Sequence, residues 1–223
     1  MGVRHLVCDF GGVVLCTPFE LRDRAEEALG LAPGTLDWAG PFGDDPRWQR
    51  VEAGELTERA YWASRVVEVA ARTGRTGLEV RQLFATMYDA PEDRIVRSEL
   101  VGVIRRVRAA GGRVAVLTND LEAFHGPAWV ARISVLREVD AVVDGSRTGV
   151  LKPDPRAYRA ALDALGVPAA TTVFVDDQPT NLEGAASVGL VPVRFDPADV
   201  TGSVAMLEAA LGLVPRQDAP PQR

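Results

Sequence analysis

The stretch HLVCDFGGVVL, residues 5–15, determines the fold that we expect. The apolar residues 6–8 lead into a carboxylate, Asp9, and the glycines Gly11 and Gly12 follow before apolar residues return. A short apolar run that ends at a turn signal is typical of a buried strand. Asp9 would then lie at the carboxyl end of that strand, where open α/β sheets bind ligands. Taken alone, an Asp before two glycines also fits a simple turn, so the rest of the chain decides.

The composition limits the class of protein. The chain has 223 residues, of which 47% are hydrophobic and 25% charged, as in a globular protein of one domain or of one domain with an insert. The net charge of -6 gives no sign of the clustered Lys and Arg that nucleic-acid binding requires. Asp9 interrupts the first apolar run too early for a signal peptide, and the cysteines Cys8 and Cys16 suit a reducing compartment. We expect a cytoplasmic protein without membrane or nucleic-acid partners.

Helical and strand patterns alternate from residue 98 onward, which predicts βαβ units and a parallel sheet. Strands are predicted at residues 113–117, 141–143, 172–175 and 191–195, with helices at 99–110, 155–165, 181–188 and 200–211. Residues 16–91 have no strong strand pattern and contain amphipathic helical stretches at 19–29, 57–71 and 78–88. The Pro- and Gln-rich end of the chain is predicted to be disordered.

Polar side chains follow several of these predicted strands. They form four groups along the chain: Asp9; Thr118 with Asn119; Lys152; and Asp176 with Asp177. Because the carboxyl ends of parallel strands meet at one edge, we expect the groups to converge. Three carboxylates at one place repel each other unless a cation joins them, and hard oxygen ligands favour Mg²⁺. A lysine and a hydroxyl beside that metal would suit a phosphoryl group.

Four motifs in this order resemble those of the haloacid dehalogenase-like superfamily of hydrolases, over nearly the whole chain. They are DFGGV at residues 9–13, LTND at 117–120, KPDP at 152–155 and VDDQPTN at 175–181. The segment WQRVEAGELT, residues 48–57, is similar to the cap of the phosphatase branch. The resemblance implies an α/β fold with a doubly wound parallel sheet of strand order 5-4-1-2-3. It also implies a core domain of residues 1–14 and 93–213, an all-helical cap of residues 15–92 and a disordered tail of residues 214–223.

The resemblance also implies catalytic and metal-binding roles. Asp9 would be the nucleophile that forms an aspartyl-phosphate. The Asp9 carboxylate, the Gly11 carbonyl and Asp177 would bind Mg²⁺, and Asp176 would either join them or hold a metal-bound water. The cofactor expected is therefore Mg²⁺ and the partner a small phosphorylated substrate.

The phosphoryl group is expected to contact another set of residues. Thr118 and the backbone of Asn119 would bind its oxygens, and Lys152 would offset the charge of the nucleophile and of the phosphoryl group. Asn181 would steady the loop of the fourth motif, or serve only as a turn or cap residue, as Asn119 also could. Asp120 is interpreted as a helix cap.

Gly11 departs from the pattern of the family. Most phosphatases of the superfamily have a second Asp at this position, which protonates the leaving group and then activates water. Gly11 keeps the backbone carbonyl but has no acid-base side chain, and general acid-base catalysis is worth roughly 10²–10⁴-fold. The loss would slow alkyl phosphates most, unless a water, His125 or a cap residue substitutes.

Three functions stay open from the sequence. The first is a Mg²⁺-dependent phosphatase of a small phosphorylated metabolite, as a monomer or homodimer. The second is a weakly active or non-catalytic relative that acts by binding. The third is a 2-haloacid dehalogenase, because that branch also lacks the second Asp, although dehalogenation needs no metal and the pair Asp176 and Asp177 argues against it.

Overall fold

The computed structural model describes residues 4–213, so the predicted disordered tail lies outside the described residues. Within this range the strands are β1 (His5–Cys8), β2 (Val114–Thr118), β3 (Ala141–Asp144), β4 (Thr172–Asp176) and β5 (Val191–Arg194). They form one parallel sheet in the order β3-β2-β1-β4-β5. This is the predicted order 5-4-1-2-3 read from the opposite edge, so the predicted α/β fold with a central first strand is confirmed.

Helices connect and surround these strands. In chain order they are α1 (Arg22–Leu29), α2 (Pro46–Glu52), α3 (Glu58–Thr73), α4 (Val80–Tyr88), α5 (Ser98–Ala109), α6 (Leu121–His125), α7 (Pro127–Arg132), α8 (Gly145–Thr148), α9 (Pro155–Leu165), α10 (Pro179–Ser187) and α11 (Val200–Leu211). Among the described residues, no helix combines the length and the apolar character needed to cross a bilayer.

Both faces of the sheet are covered by helices. Leu6 and Cys8 of β1 pack in the same apolar cluster as the buried faces of α5 and α11. Val7, which points to the opposite face, packs in a second cluster with α9 and with Ala185 of α10. Because central parallel strands are buried on both faces, their sequences are continuous apolar runs rather than alternating ones. That explains why residues 6–8 could be recognised as a strand.

The helical segment, residues 15–92, leaves the sheet and returns to it at adjacent points. Leu15 and Val96 form an antiparallel bridge, and the Arg97 amide donates a hydrogen bond of 2.9 Å to the Val14 carbonyl. The Arg97 guanidinium is buried and donates to both carboxylate oxygens of Glu20, at 2.9 and 2.6 Å. The described elements between these crossing points are helices and turns. The division into a core and a cap of residues 15–92 stays a prediction.

Two helices of this segment differ from the prediction. Helix α1 begins at Arg22 rather than at residue 19, because Phe19 instead packs edge-on against Trp48, with ring centroids 4.9 Å apart. Helix α2 was not predicted. Its N-terminal residue Asp45 is 2% exposed and accepts hydrogen bonds from the Trp48 amide, the Tyr61 hydroxyl and Arg65.

Candidate active site

The predicted polar groups meet at the carboxyl edge of the sheet. Asp9 directly follows β1, Thr118 is the last residue of β2, and Asp176 is the last residue of β4. Lys152 lies in the loop before α9 and extends to the same edge. Asp9, Thr118 and Lys152 are buried to 8, 6 and 5% exposure, and all three line one cavity. The structure therefore brings together residues that are far apart in the sequence.

The backbone after Asp9 forms one wide helical turn, Phe10–Val14, that includes both glycines. Gly12 has a φ of 77°, and a Cβ built on it would lie 2.6 Å from Oδ2 of Asp177. Gly11 differs, since its φ of -70° is open to any residue and a Cβ there would meet nothing within 4 Å. Gly12 is therefore required for the close approach of the turn to Asp177, whereas Gly11 is not required for shape.

This contrast gives a matched pair of variants. We expect Gly12→Ala to displace the Asp177 carboxylate and to reduce both Mg²⁺ affinity and turnover by at least tenfold, because metal affinity depends on ligand placement. Gly11→Ala should leave Mg²⁺ affinity within about twofold of the wild type. Calorimetric titration of each purified variant with Mg²⁺ measures the difference. Equal affinities in the two variants would contradict the assigned role of Gly12.

Lys152 joins two of the carboxylates. Its Nζ lies 2.8 Å from Oδ1 of Asp9 and 2.7 Å from Oδ2 of Asp176, and its side chain is 2% exposed. Burial alone would lower the pKa of Lys152, but Asp176 and Asp9 raise it well above its usual value, so the ammonium stays charged. The lysine thus supplies a fixed positive charge beside Asp9.

Asn119 holds the lysine loop against the end of β2. Its side-chain amide donates to the Lys152 carbonyl at 3.2 Å, and its Oδ1 accepts from the Lys152 amide at 2.7 Å. The sequence suggested only a phosphate contact or a simple turn role for Asn119. The paired hydrogen bonds add a positioning role, because they fix the loop from which the Lys152 side chain extends.

Asp176 is fully buried and its oxygens are already occupied. They accept from Lys152 Nζ, from the Gln178 amide at 2.9 Å and from Asn181 Nδ2 at 3.0 and 3.1 Å. Asn181 lies in the first turn of α10 and bonds directly to Asp176, a contact that suits its predicted role of steadying the loop of the fourth motif. These contacts make Asp176 the anchor of Lys152 and of the turn that presents Asp177.

The three carboxylates fit a divalent cation. Asp9, Asp176 and Asp177 each offer an oxygen within 4.8 Å of the others. Oδ1 of Asp177 is buried and has no hydrogen-bond partner, which is costly for an acceptor unless a ligand binds it. Burial raises the pKa of Asp177 well above its usual value, and Asp176 and Asp9 raise it further. A bound cation would favour the ionised form, and oxygen donors suit Mg²⁺.

A cavity of about 520 Å³ opens above these groups. Its floor is the carboxyl edge of the sheet, and most of its remaining wall is apolar or aromatic. That wall includes Leu15, Phe19, Trp48, Val51, Leu56, Phe84, Tyr88 and Phe124. All four tryptophans are buried, and Trp48 is one that also lines the cavity.

Two polar residues of α3 reach across this cavity to the core. The Arg59 guanidinium donates to Oδ1 of Asp120, with Nε at 2.7 Å and Nη2 at 2.5 Å. Asp120 occupies the N-cap position of α6, as predicted, but its side chain makes no capping hydrogen bond and binds Arg59 instead. Glu58 accepts from Gln178 Nε2 at 3.4 Å and from Trp62 Nε1 at 3.1 Å. Neither Glu58 nor Arg59 was singled out from the sequence.

His125 packs as an aromatic ring, in agreement with its interpretation as a packing residue, and it also lines the cavity. It stacks on Trp129 with a centroid distance of 4.1 Å and meets Tyr88 edge-on at 4.7 Å. Burial, together with the nearby Arg132, lowers the pKa of His125 to about 3. The imidazole is therefore neutral at pH 7 and holds no proton to give as an imidazolium.

Comparisons with known proteins agree with the fold and the motifs. Residues 4–189 match the family model of haloacid dehalogenase-like hydrolases. Mouse acyl-CoA dehydrogenase family member 10 is 27% identical over 212 residues, which are 94% of this chain and 19% of the mouse protein. Phosphoglycolate phosphatase from Rhodospirillum rubrum is 36% identical over 95 residues, or 42% of this chain and 38% of that enzyme. (S)-2-haloacid dehalogenase 1 from a Pseudomonas species is 28% identical over 120 residues, or 53 and 52%.

The chain thus spans between about a fifth and a half of the length of these relatives. Among solved structures, CbbY from Rhodobacter sphaeroides in complex with phosphate has a TM-score of 0.59 at 21% identity, covering 95% of this chain and all of that one. An enzyme from Bacteroides thetaiotaomicron, in complex with magnesium and inorganic phosphate, has a TM-score of 0.51 at 19% identity, covering 86 and 94%. At these identities the structures support the fold alone.

Proposed function

The chain belongs to the haloacid dehalogenase-like hydrolases, and we propose that it is a Mg²⁺-dependent phosphohydrolase of a small phosphorylated metabolite that acts through an aspartyl-phosphate on Asp9. One observation carries the proposal: Asp9 is buried against the charged Lys152, and beside it Asp177 has a buried oxygen without a partner. The floor of one cavity thus combines a nucleophilic carboxylate, a fixed ammonium and a carboxylate oxygen that is free to bind a metal ion. This combination suits phosphoryl transfer.

Each residue of the floor has a proposed role. The Asp9 carboxylate attacks phosphorus, and Lys152 offsets negative charge on the nucleophile and on the phosphoryl oxygens. Thr118 and the Asn119 backbone orient those oxygens. Asp9, the Gly11 carbonyl and Asp177 would hold Mg²⁺, which supplies charge neutralisation for the phosphoryl group. Asp176 is not one of these ligands, because its carboxylate oxygens already accept hydrogen bonds from three donors.

The cluster of carboxylates also separates this proposal from the dehalogenase alternative. Displacement of a halide by Asp9 would need no cation, and a third carboxylate near the nucleophile would oppose a negatively charged haloacid. A non-catalytic role would not require the buried pair of Asp9 and Lys152 to face a cavity. Both alternatives remain outcomes of the test below.

The proposed function is tested by a phosphate-release screen over a metabolite panel, with Mg²⁺ and with excess chelator. We expect release that depends on Mg²⁺. The same samples are assayed for halide release from 2-chloropropionate. Halide release without phosphate release would favour the dehalogenase, and neither product would favour a binding protein.

Replacing Asp177 by Asn should weaken Mg²⁺ binding and phosphatase activity together, each by about 10–100-fold, because an amide is a weaker ligand for a hard cation. Raising the Mg²⁺ concentration should recover part of the activity. Asp163→Asn is the matched control, since Asp163 is exposed on α9. Activity that persists in excess chelator would show that the metal assignment is wrong.

The cellular setting follows the same proposal. We propose a cytoplasmic enzyme with a small-molecule substrate and without nucleic-acid or membrane partners, acting as a monomer or homodimer. The net charge of -6 and the concave site support a small substrate over a polyanion.

A further inference from the structure

The proposed reaction requires a proton donor that the nucleophile loop does not supply. The position two residues after Asp9 is Gly11, whose missing side chain would point into open space. An alkyl phosphate leaves as an alkoxide, which is a poor leaving group unless it is protonated. The donor must therefore come from another part of the cavity wall.

Most protonatable side chains that line the cavity are committed elsewhere. Asp120 is paired with Arg59 through two contacts. The Tyr88 hydroxyl donates to the Cys16 carbonyl at 2.7 Å, and Lys152 is bound between Asp9 and Asp176. His125 carries no second proton at neutral pH because of its low pKa.

Asp9 is the proposed nucleophile and Asp177 a proposed metal ligand, so Glu58 is the remaining carboxyl group on the described wall of the cavity. It is the first residue of α3, which Thr57 caps by accepting from the Ala60 amide at 3.2 Å. Bonds from Trp62 and Gln178 hold its two oxygens between the helical segment and the loop that carries Asp177. Glu58 is thus held at the wall of the cavity, between α3 and the loop that carries Asp177.

The charges around Glu58 favour a retained proton. The charged groups that face it are Asp120, Asp176, Asp177 and Lys152. Burial raises the pKa of Glu58 and the hydrogen bond from Trp62 lowers it; Asp120 raises it, Lys152 lowers it and Asp176 raises it, and the net effect is a raised pKa. A carboxyl group of this kind can donate a proton near neutral pH and accept one afterwards.

We propose that Glu58, reaching in from α3, is the general acid-base of this enzyme in place of a side chain at residue 11; this inference rests on the proposed phosphohydrolase function. As the Asp9 oxygen bonds to phosphorus and the ester P–O bond breaks, the Glu58 proton passes to the leaving oxygen and gives the alcohol. The Glu58 carboxylate then takes a proton from water as the water oxygen bonds to phosphorus and the bond between phosphorus and the Asp9 oxygen breaks. Inorganic phosphate leaves, the Asp9 carboxylate is restored, and Glu58 is again protonated.

The test is Glu58→Gln, which keeps the size of the side chain but removes the proton. With glycerol phosphate or another alkyl phosphate, turnover should fall by about 10²–10⁴-fold, the usual contribution of general acid-base catalysis. With p-nitrophenyl phosphate the first step needs no proton, so the variant should release about one equivalent of nitrophenolate in a burst. Slow turnover should follow, because water is no longer activated.

A rescue variant separates catalysis from structure. Gly11→Asp has open space for its side chain, so the double variant Gly11→Asp/Glu58→Gln should recover alkyl-phosphate turnover by at least tenfold over Glu58→Gln alone. Glu55→Gln, at an exposed acidic residue on the preceding loop, is the matched control and should match the wild type.

Wild-type rates in Glu58→Gln on the alkyl ester would overturn the proposal. So would equal losses on both esters without a burst, or a failure of the double variant to recover while its unfolding midpoint is unchanged. These results differ from a failure of the proposed function itself, in which the wild type releases no phosphate with Mg²⁺ or Asp9→Asn stays active.

Discussion

Asp9→Asn is expected to lower phosphatase turnover by more than about 10⁴-fold, the scale of loss when the nucleophile of a covalent mechanism is removed. An amide is a poor nucleophile and cannot form the acyl phosphate that the proposed reaction requires. The remaining groups of the site would still bind the substrate and offset its charge. We therefore expect the Kd of a phosphorylated ligand to change far less than the turnover.

The fold should survive this change. Asn has nearly the shape of Asp, and its Oδ1 can still accept the hydrogen bond that Lys152 now donates at 2.8 Å. Burial and the neighbouring Asp176 raise the pKa of Asp9, so removal of its charge also relieves repulsion between carboxylates. We therefore expect the unfolding midpoint of Asp9→Asn to lie within about 4 °C of the wild type, which corresponds to a change of roughly 1–2 kcal/mol in unfolding free energy for a domain of this size.

Steady-state phosphate release from freshly purified Asp9→Asn is the direct measurement. Soaking wild-type crystals with BeF₃⁻ and Mg²⁺ gives an independent one, in which beryllium should bond to the Asp9 carboxylate. Retained turnover in the variant, or beryllium on another side chain, would move the nucleophile away from Asp9.

The core of the fold could be predicted from local patterns because its strands are buried on both faces. The apolar run before Asp9 and the predicted helix over residues 155–165 agree with β1 and α9. Gly166, with a φ of 65°, ends α9 as a left-handed C-terminal residue. These signals are contained in a few consecutive residues, and they do not depend on contacts between distant parts of the chain.

The helical segment was less predictable because distant contacts decide its boundaries. Helix α2 is capped by a carboxylate, Asp45, whose partners Tyr61 and Arg65 lie 16 and 20 residues further along the chain. Phe19 fits an amphipathic helical pattern, yet it is drawn into the aromatic cluster with Trp48 and Trp62. Local propensity is a weak prior when such tertiary contacts compete.

The candidate site likewise contains some residues that the sequence predicts and others that depend on distant contacts. The order of the motifs placed Asp9, Thr118, Lys152 and Asp177 at one edge, because parallel strands have a common direction. Glu58 could not be recognised, since an acidic residue in the first turn of a helix is expected from the helix dipole alone. The partner of Asp120 is Arg59, 61 residues away, and local sequence made Asp120 look like a cap instead.

Lys152→Met is expected to damage stability and activity together. The lysine is the ammonium that directly contacts Asp9 and Asp176, and both of its contacts are shorter than 3 Å. Breaking a buried ion pair by removal of one partner costs about 3–5 kcal/mol, because the remaining charges stay buried. We expect the unfolding midpoint to fall by about 10 °C and turnover by about 10²–10³-fold, as for loss of one electrostatic contact to a transition state.

The pH dependence of this loss identifies its cause. Lys152 lowers the pKa of Asp9 against the effect of burial, so its removal raises the pKa of Asp9 further in the folded state. A carboxyl group whose pKa is higher in the folded state than in the unfolded state, where it is about 4, lowers the unfolding free energy as the pH rises above that unfolded-state pKa. Protonation of the group restores the unfolding free energy as the pH falls. The difference in unfolding free energy between Lys152→Met and the wild type should therefore shrink from pH 8 to pH 5. Denaturant unfolding at both pH values measures it, with Arg156→Gln, an exposed cation in the first turn of α9, as the control of equal charge change. A deficit that is constant with pH would assign the loss to packing of the lysine side chain rather than to its charge.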